Sequence, residues 1–186
     1  MGEIKRGLII FVLFSVLTGL IYPIFITGIA QIFWKDKANG SLIIKDRRVI
    51  GSKLIGQDFT SPRYFNGRPS VVDYKGSVSS ASNLGQTSSK LVENVQKQIN
   101  KVRSENSLVT DSKIPADLVL SSASGLDPHI SLDSALLQVS RIARVRGITM
   151  DKLKSIIYKN LEEPQFKFLG QKRVNVLTLN LELDKK

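Results

Sequence analysis

From Gly7 to Trp34 the chain carries no Asp, Glu, Lys, Arg or His; the run is GLIIFVLFSVLTGLIYPIFITGIAQIFW, 28 residues. About 20 apolar residues suffice to cross the hydrocarbon core of a bilayer as a helix. Leu8, Phe11 and Phe14 lie in its first half, and Phe33 and Trp34 close it where an aromatic belt would sit, with Lys35 just beyond. A cleaved signal peptide would have an apolar region of about 7–15 residues followed by a small-residue cleavage site. This run is longer and ends Ile-Phe-Trp-Lys, so residues 1–34 are read as an uncleaved anchor. Pro23 removes a hydrogen bond inside the run and predicts a kink. Gly19 and Gly28 would let a neighbouring helix approach, although they do not form GxxxG with each other.

After Lys35 the pattern changes. In SLIIKDRRVIGSKLIG, residues 41–56, short Leu and β-branched runs are separated by turn formers, as in a hairpin or short meander. Gly, Pro, Ser and Asn interrupt every period from 57 to 86. Phe59, Tyr64, Phe65 and Tyr74 make this an ordered loop pinned by aromatics rather than a disordered one. Leu91, Val92, Val95, Ile99 and Val102 recur at helical spacing and predict a helix over 87–103, capped by Thr87 or Ser88. A polar linker covers 104–114, and ADLVLS, 116–121, reads as a short buried strand. Ser131 caps a predicted helix over 132–146, with Leu136, Val139, Ile142 and Ala143 inward. Arg141, Arg144 and Arg146 sit at its C-terminal end, where positive charge suits the helix dipole, and Gly147 stops it. Thr149 caps a third helix, to about Leu161. Leu177, Leu179, Leu181 and Leu183 alternate with polar residues and predict a strand over 174–183, bulged at Val176–Leu177. The expected architecture is α+β: a single N-terminal transmembrane helix, then one small α+β domain over 35–186.

Composition narrows the chemistry. The chain has no cysteine and one histidine, His129. Disulfides, cysteine nucleophiles and Cys/His zinc sites are thereby excluded. Lys and Arg total 27 against 16 Asp and Glu, a net charge of +11. The basic residues are spread along the chain, which fits nucleic acid poorly. Basic residues also flank both ends of the apolar run, so charge leaves the side of the membrane open. In SSASGLDPHIS, 121–131, Ser124, Asp127 and His129 lie close together. A membrane-anchored hydrolase would make Ser124 the nucleophile and His129 its base, although triad members usually come from distant positions and no G-x-S-x-G elbow exists. The competing reading is a turn punctuated by Gly125 and Pro128. There is no phosphate-binding G-x-x-x-x-G-K-[ST] loop, and Gly67-Arg68-Pro69-Ser70 reads as a solvated turn or an anion contact. A basic protein that binds anionic envelope polymers is a further reading.

Read together, LIGQDFTSPRYFNGRPS (54–70), SASNLGQTSSKL (80–91), PADLVLSSASGLDPHIS (115–131), QVSRIARVRGI (138–148) and VNVLTLNLELD (174–184) closely resemble the KdpC family, the C subunits of the Kdp potassium-transporting ATPase. The resemblance covers essentially the whole chain. Gln86 and Ser140 depart from it, standing where many relatives have proline. It implies an accessory, non-catalytic subunit of a high-affinity potassium uptake pump in the cell membrane, its N-terminus cytoplasmic and its domain outside. The implied partners are a channel-like potassium-binding A subunit, a P-type ATPase B subunit and a small F subunit, within the lipid bilayer and without nucleic acid. The family role is assembly together with catalytic chaperoning, which raises the ATP affinity of the B subunit. ATP would then be bound through that subunit, and Arg68 or Lys90 could not touch it from outside. A subunit that prefers one conformation of its partner shifts that partner's ligand affinity without contact. The residues expected to dock on partners or to specify the fold are Gln57, Phe59, Tyr64, Phe65, Gly67, Arg68, Pro69, Ser70, Asn83, Leu84, Ser124, Gly125, Leu126, Asp127 and His129; no metal is expected.

Overall fold

The structure, a computed structural model, describes residues 2–185. By contacts the chain separates into residues up to Val49 and residues from Ile50, whereas the sequence reading divides it at Trp34.

The first unit opens with α1 (Gly2–Val16), a π-helical turn (Leu17–Ile21) and α2 (Tyr22–Phe33). Together they form one apolar helix long enough to cross a membrane, with mean hydropathy 2.5 and no residue of its most apolar window buried. Leu8, Phe11, Phe14, Phe33 and Trp34 are all exposed. Pro23 is met by the π turn rather than by a break: the Tyr22 amide donates to Leu17 one residue further back than in an α-helix. Such a one-turn widening is a recognised way of absorbing an interruption in the helical ladder. Gly19 lies within that turn. A short helix, α3 (Lys35–Ala38), follows. The strands β1 (Leu42–Lys45) and β2 (Arg48–Ser52) then pair as a hairpin. Asp46 and Arg47 take its two left-handed turn positions, φ 51° and 61°.

The second unit is α+β. Its sheet has three short antiparallel strands in the order β3 (His129–Ser131), β5 (Arg173–Asn175), β4 (Leu161–Glu162). Ile130 and Leu161 both stand opposite Val174. Strands of two or three residues contribute little alone; the helices packed around them supply the core. These are α5 (Leu132–Leu137), α6 (Val139–Arg146), α7 (Met150–Lys159) and α8 (Val176–Leu183), while α4 (Ser89–Asn106) packs outside the core against α6. The core joins Phe65, Ile130, Val139, Ile142, Leu153, Ile157, Val174 and Leu179, with Phe59, Leu132 and Leu161 packed against it. Ser131 and Thr149 cap as expected, their hydroxyls accepting from Ser134 N and Lys152 N. Gly147, φ 66°, ends α6.

Four expectations fail. Residues 176–183 are helical, because the Asn175 side chain accepts from Thr178 N and caps a helix. Val176, Leu179, Asn180 and Leu183 then share one buried face at helical spacing. Residues 116–118 form a 3-10 turn, not a strand, and the Asp117 carboxylate receives Ser131 N (2.6 Å) and Ser134 Oγ (2.6 Å) at the start of α5. The helix predicted over 132–146 is interrupted at Gln138. The helix predicted over 87–103 runs to Asn106, Ser88 makes no side-chain cap bond, and Val92 is exposed.

Candidate functional site

The loop from Lys53 to Ser88 has no long regular element, so its polar backbone must be satisfied by side chains. Three buried residues, two on helices and Gln138 at the junction of α5 and α6, do this. Asn180 of α8 accepts from Phe65 N (2.8 Å) and donates to Phe65 O (3.0 Å), as a neighbouring β-strand would. Gln138 accepts from Asn66 N (2.8 Å) and donates to Asn66 O (3.2 Å). Arg141 donates to Pro62 O (2.6 Å), Tyr64 O (3.0 Å), Asn106 Oδ1 (3.0 Å) and Gln138 Oε1 (2.7 Å). It is 3% exposed. Burial presses its pKa down while Glu105 opposes the shift. Arg141 therefore serves the loop rather than the helix dipole. Between these anchors Phe65 is fully buried.

The outer side of the loop is tied to the C-terminal end. Tyr64 Oη donates to Asp184 (2.8 Å), and that hydrogen bond, with burial and the carboxylate charge, raises its pKa. Arg146 stacks over the Tyr64 ring at 4.9 Å, donates to Arg63 O and Leu183 O, and pairs with Asp184 at 2.9 Å. Phe59 packs beside Tyr64, ring centroids 5.6 Å apart. Gln57 donates to Ile50 O.

The second half of the loop meets the 121–131 turn. Arg68 Nη1 pairs with Asp127 Oδ2 at 3.0 Å, and its Nη2 reaches Ser121 O. Tyr74 Oη donates to Arg68 O, and burial, followed by the charges of Asp58 and Asp127, pushes its pKa up to about 12. Ser70 Oγ donates to Gly125 O (2.7 Å), and Gly56 N to Leu126 O (2.7 Å). Gly125 has φ 68°, and a Cβ there would meet Val72 Cγ2 at 2.8 Å. Pro69, Leu84, Leu91 and Val119 line one shallow cleft of about 200 Å³. Asn83 is exposed and left-handed, φ 52°. Gly67 leaves room for Tyr74, whose Oη would lie 3.2 Å from an added Cβ.

The Ser-Asp-His group is part of this fastening. Ser124 Oγ accepts from Leu126 N (3.1 Å), as in a serine-stabilised turn. The His129 ring lies between Asp127 Oδ1 and Glu162 Oε2, 3.5 Å from each. Arg173 Nε pairs with the same Glu162 oxygen at 3.0 Å. Burial, the largest influence on Asp127, pushes its pKa up; the hydrogen bonds from His129 and Arg68 outweigh it and hold the carboxyl at about 2. A row of polar contacts, Arg68–Asp127–His129–Glu162–Arg173, thus ties the loop to the sheet. The imidazole faces carboxylates, not the Ser124 hydroxyl, so the nucleophile–base hydrogen bond of a serine hydrolase is not formed.

A polar cleft of about 450 Å³ separates the loop from α4, lined by Asp58, Arg68, Asp73, Lys101 and Glu105 among others. Among the described residues no three His, Asp or Glu side chains group as a metal site. Sequence reasoning missed Gln138, Arg141, Arg146 and Asn180. The available signal was a polar residue on an otherwise apolar helical face: Gln138 among Ala135, Val139 and Ile142, and Asn180 among Val176, Leu179 and Leu183.

The family described as the K+-transporting ATPase c chain, KdpC, matches residues 4–185. Among curated proteins, the potassium-transporting ATPase KdpC subunit of Koribacter versatilis is 46% identical over 97% of this chain and 95% of its own length. The protein of the same name from Caldanaerobacter subterraneus is 46% identical over 97% and 94%. That from Mycobacterium bovis is 43% identical over 98% of both chains. With a match across nearly every residue, including both halves of the fastened loop and turn, the chain belongs to the KdpC family, the c chain of the K+-transporting ATPase.

Proposed function

We propose that this protein is a non-catalytic accessory subunit of a high-affinity, ATP-driven potassium uptake complex. The match over residues 4–185 carries the reading. The helix from Gly2 to Phe33 anchors it in the cell membrane, with the N-terminus cytoplasmic and the α+β domain outside. Its partners are a potassium-binding channel-like subunit, a P-type ATPase subunit and a small single-helix subunit. The geometry supports a non-catalytic part: the Ser124 hydroxyl takes the Leu126 amide, the His129 ring lies between two carboxylates, and Asp127 pairs with Arg68 of the loop.

The subunit acts on ATP at a distance. It favours one conformation of the complex and so raises the ATP affinity of the ATPase subunit, as linkage allows for a partner that binds one state better. The rigid fastening of the loop suits this, since a surface that holds its shape can discriminate between two conformations of its partner. The test is to purify the complex from cells carrying an affinity tag on this chain, then to measure ATP affinity with and without the subunit. Co-purification of the other subunits with a raised ATP affinity is the expected result. A chain that purifies alone, or ATP affinity unchanged by its presence, would reject the proposal.

A further inference from the structure

Beyond the fastened loop, one segment of the second unit is built in the opposite way. Between β4 and β5 the chain folds into a small hairpin, with Gln165 and Leu169 paired across it through Gln165 N to Leu169 O (3.1 Å) and Leu169 N to Gln165 O (2.9 Å). Its two turn residues, Phe166 (φ 52°) and Lys167 (φ 69°), are both left-handed. Asn-Gly normally fills such a turn, and bulky side chains rarely adopt the conformation. Here the strained turn holds apolar side chains outward: Phe166 is 81% exposed, Phe168 76% and Leu169 51%, with the two rings 6.4 Å apart. The base is braced by Lys172–Glu163 and Arg173–Glu162 pairs. At the tip, Lys167 has no ion-pair partner among the described residues.

The geometry points to this tip as a bilayer-insertion finger: Phe166, Phe168 and Leu169 enter the interface of the membrane that holds the protein's own apolar helix, and Lys167 meets anionic lipid phosphate. Exposed apolar rings beside a free cation are the composition of interfacial segments. The domain, residues 35–186, carries 25 basic against 15 acidic residues, a sign complementary to anionic headgroups. Tethering by the apolar helix keeps the finger at high effective concentration near lipid, so a small contact suffices. A protein groove as the occupant would call for no such free cation. The inference rests on the reading of Gly2–Phe33 as a membrane anchor.

Trp34 is the only tryptophan, so the full chain carrying Trp34→Phe and Phe168→Trp has a single reporter at the tip. It is reconstituted into phosphatidylcholine–phosphatidylglycerol vesicles, with and without bromine on the acyl chains. A chain that floats with the vesicles, with blue-shifted emission that loses intensity in brominated lipid, is expected. Adding Phe166→Asp should return the emission to its solvent value, and adding Lys167→Glu should weaken the quenching in anionic vesicles. Solvent-like, unquenched emission from a chain that does float overturns the finger while leaving the anchor intact. So does quenching untouched by Phe166→Asp. A blue shift that appears only with the other subunits present, without bromine quenching, makes the occupant a protein and overturns it equally. A chain that does not float removes the anchor reading itself.

Discussion

At the residue scale, the loop depends on buried polar side chains more than on its own aromatics. Arg141→Met would leave the buried Asn106 Oδ1 without this donor and take one from the half-buried Tyr64 carbonyl. An orphaned buried group costs about 1–3 kcal/mol, so a loss of roughly 2–5 kcal/mol is expected, read as a lower melting temperature of the full chain in detergent. Arg141→Lys should fail nearly as badly, because one ammonium cannot reproduce the planar fork across Pro62, Tyr64, Asn106 and Gln138. Asn180→Leu keeps the volume yet orphans both polar groups of Phe65, and should cost about 2–4 kcal/mol. A variant melting within a degree of the parent would show that the loop is held some other way.

Asp127 makes a pH prediction. Its pKa is held at about 2 in the folded protein, below its ordinary value. A carboxyl lowered on folding contributes stability that is complete above its unfolded pKa, near 4, and is lost as pH falls toward 2. Melting temperature should therefore decline across that window, and Asp127→Asn should flatten this part of the decline while lowering stability at neutral pH. Arg68→Gln removes one of the groups that hold the carboxylate ionised, and should move the decline to higher pH. Equal pH profiles in all three proteins would remove Asp127 from the account.

At the scale of elements, two glycines separate conformation from space. Gly125 and Gly147 have nearly the same φ, 68° and 66°. A Cβ at Gly147 meets nothing within 4 Å, whereas at Gly125 it would press on Val72 and Ser80 O. Gly147→Ala should cost only the left-handed penalty, about 1–2 kcal/mol. Gly125→Ala should cost clearly more and loosen the 121–131 turn, visible as faster amide exchange there. The helix α8 gives a separate check: Asn175→Ala removes its cap and the Asn175 bond to Lys53 O, and should destabilise by about 1–2 kcal/mol or somewhat more. An extended segment at 176–183 would have no cap to lose.

For the whole molecule, the decisive quantity is the uncharged run. Its most apolar window has no buried residue, so in water it would expose large rings along its full length. The chain should therefore resist extraction from membranes by alkaline carbonate and yield to detergent. Replacing Leu13 and Leu17 by arginine should release it, since each charge at the bilayer centre costs about 2.5–3.5 kcal/mol on insertion scales. Release of the unaltered chain by carbonate would end the anchor reading.

Much was legible without coordinates, and for a physical reason. The apolar run is a property of composition over consecutive residues, and it needs no partner to be recognised. The caps at Ser131 and Thr149 and the stop at Gly147 are equally local, because each satisfies backbone groups within one turn. The order of the motifs across the chain was enough to point to the family. What tertiary structure alone decided was where the isolated polar residues go. The alternating leucines of 176–183 satisfied a strand period and, less obviously, a helical one; Asn175 caps the helix locally, but that its buried Asn180 reaches Phe65, 115 residues away in sequence, is a tertiary fact. Arg141 suited a helix end by local rules, but its guanidinium is buried against Pro62 and Tyr64 carbonyls nearly 80 residues away. Ser124, Asp127 and His129 left both a turn and a hydrolase open by proximity, and only the fold shows that their side chains meet the Leu126 amide, Arg68 and Glu162. A side chain's partner across the fold is set by how the whole chain packs, and residue type and spacing do not carry that information.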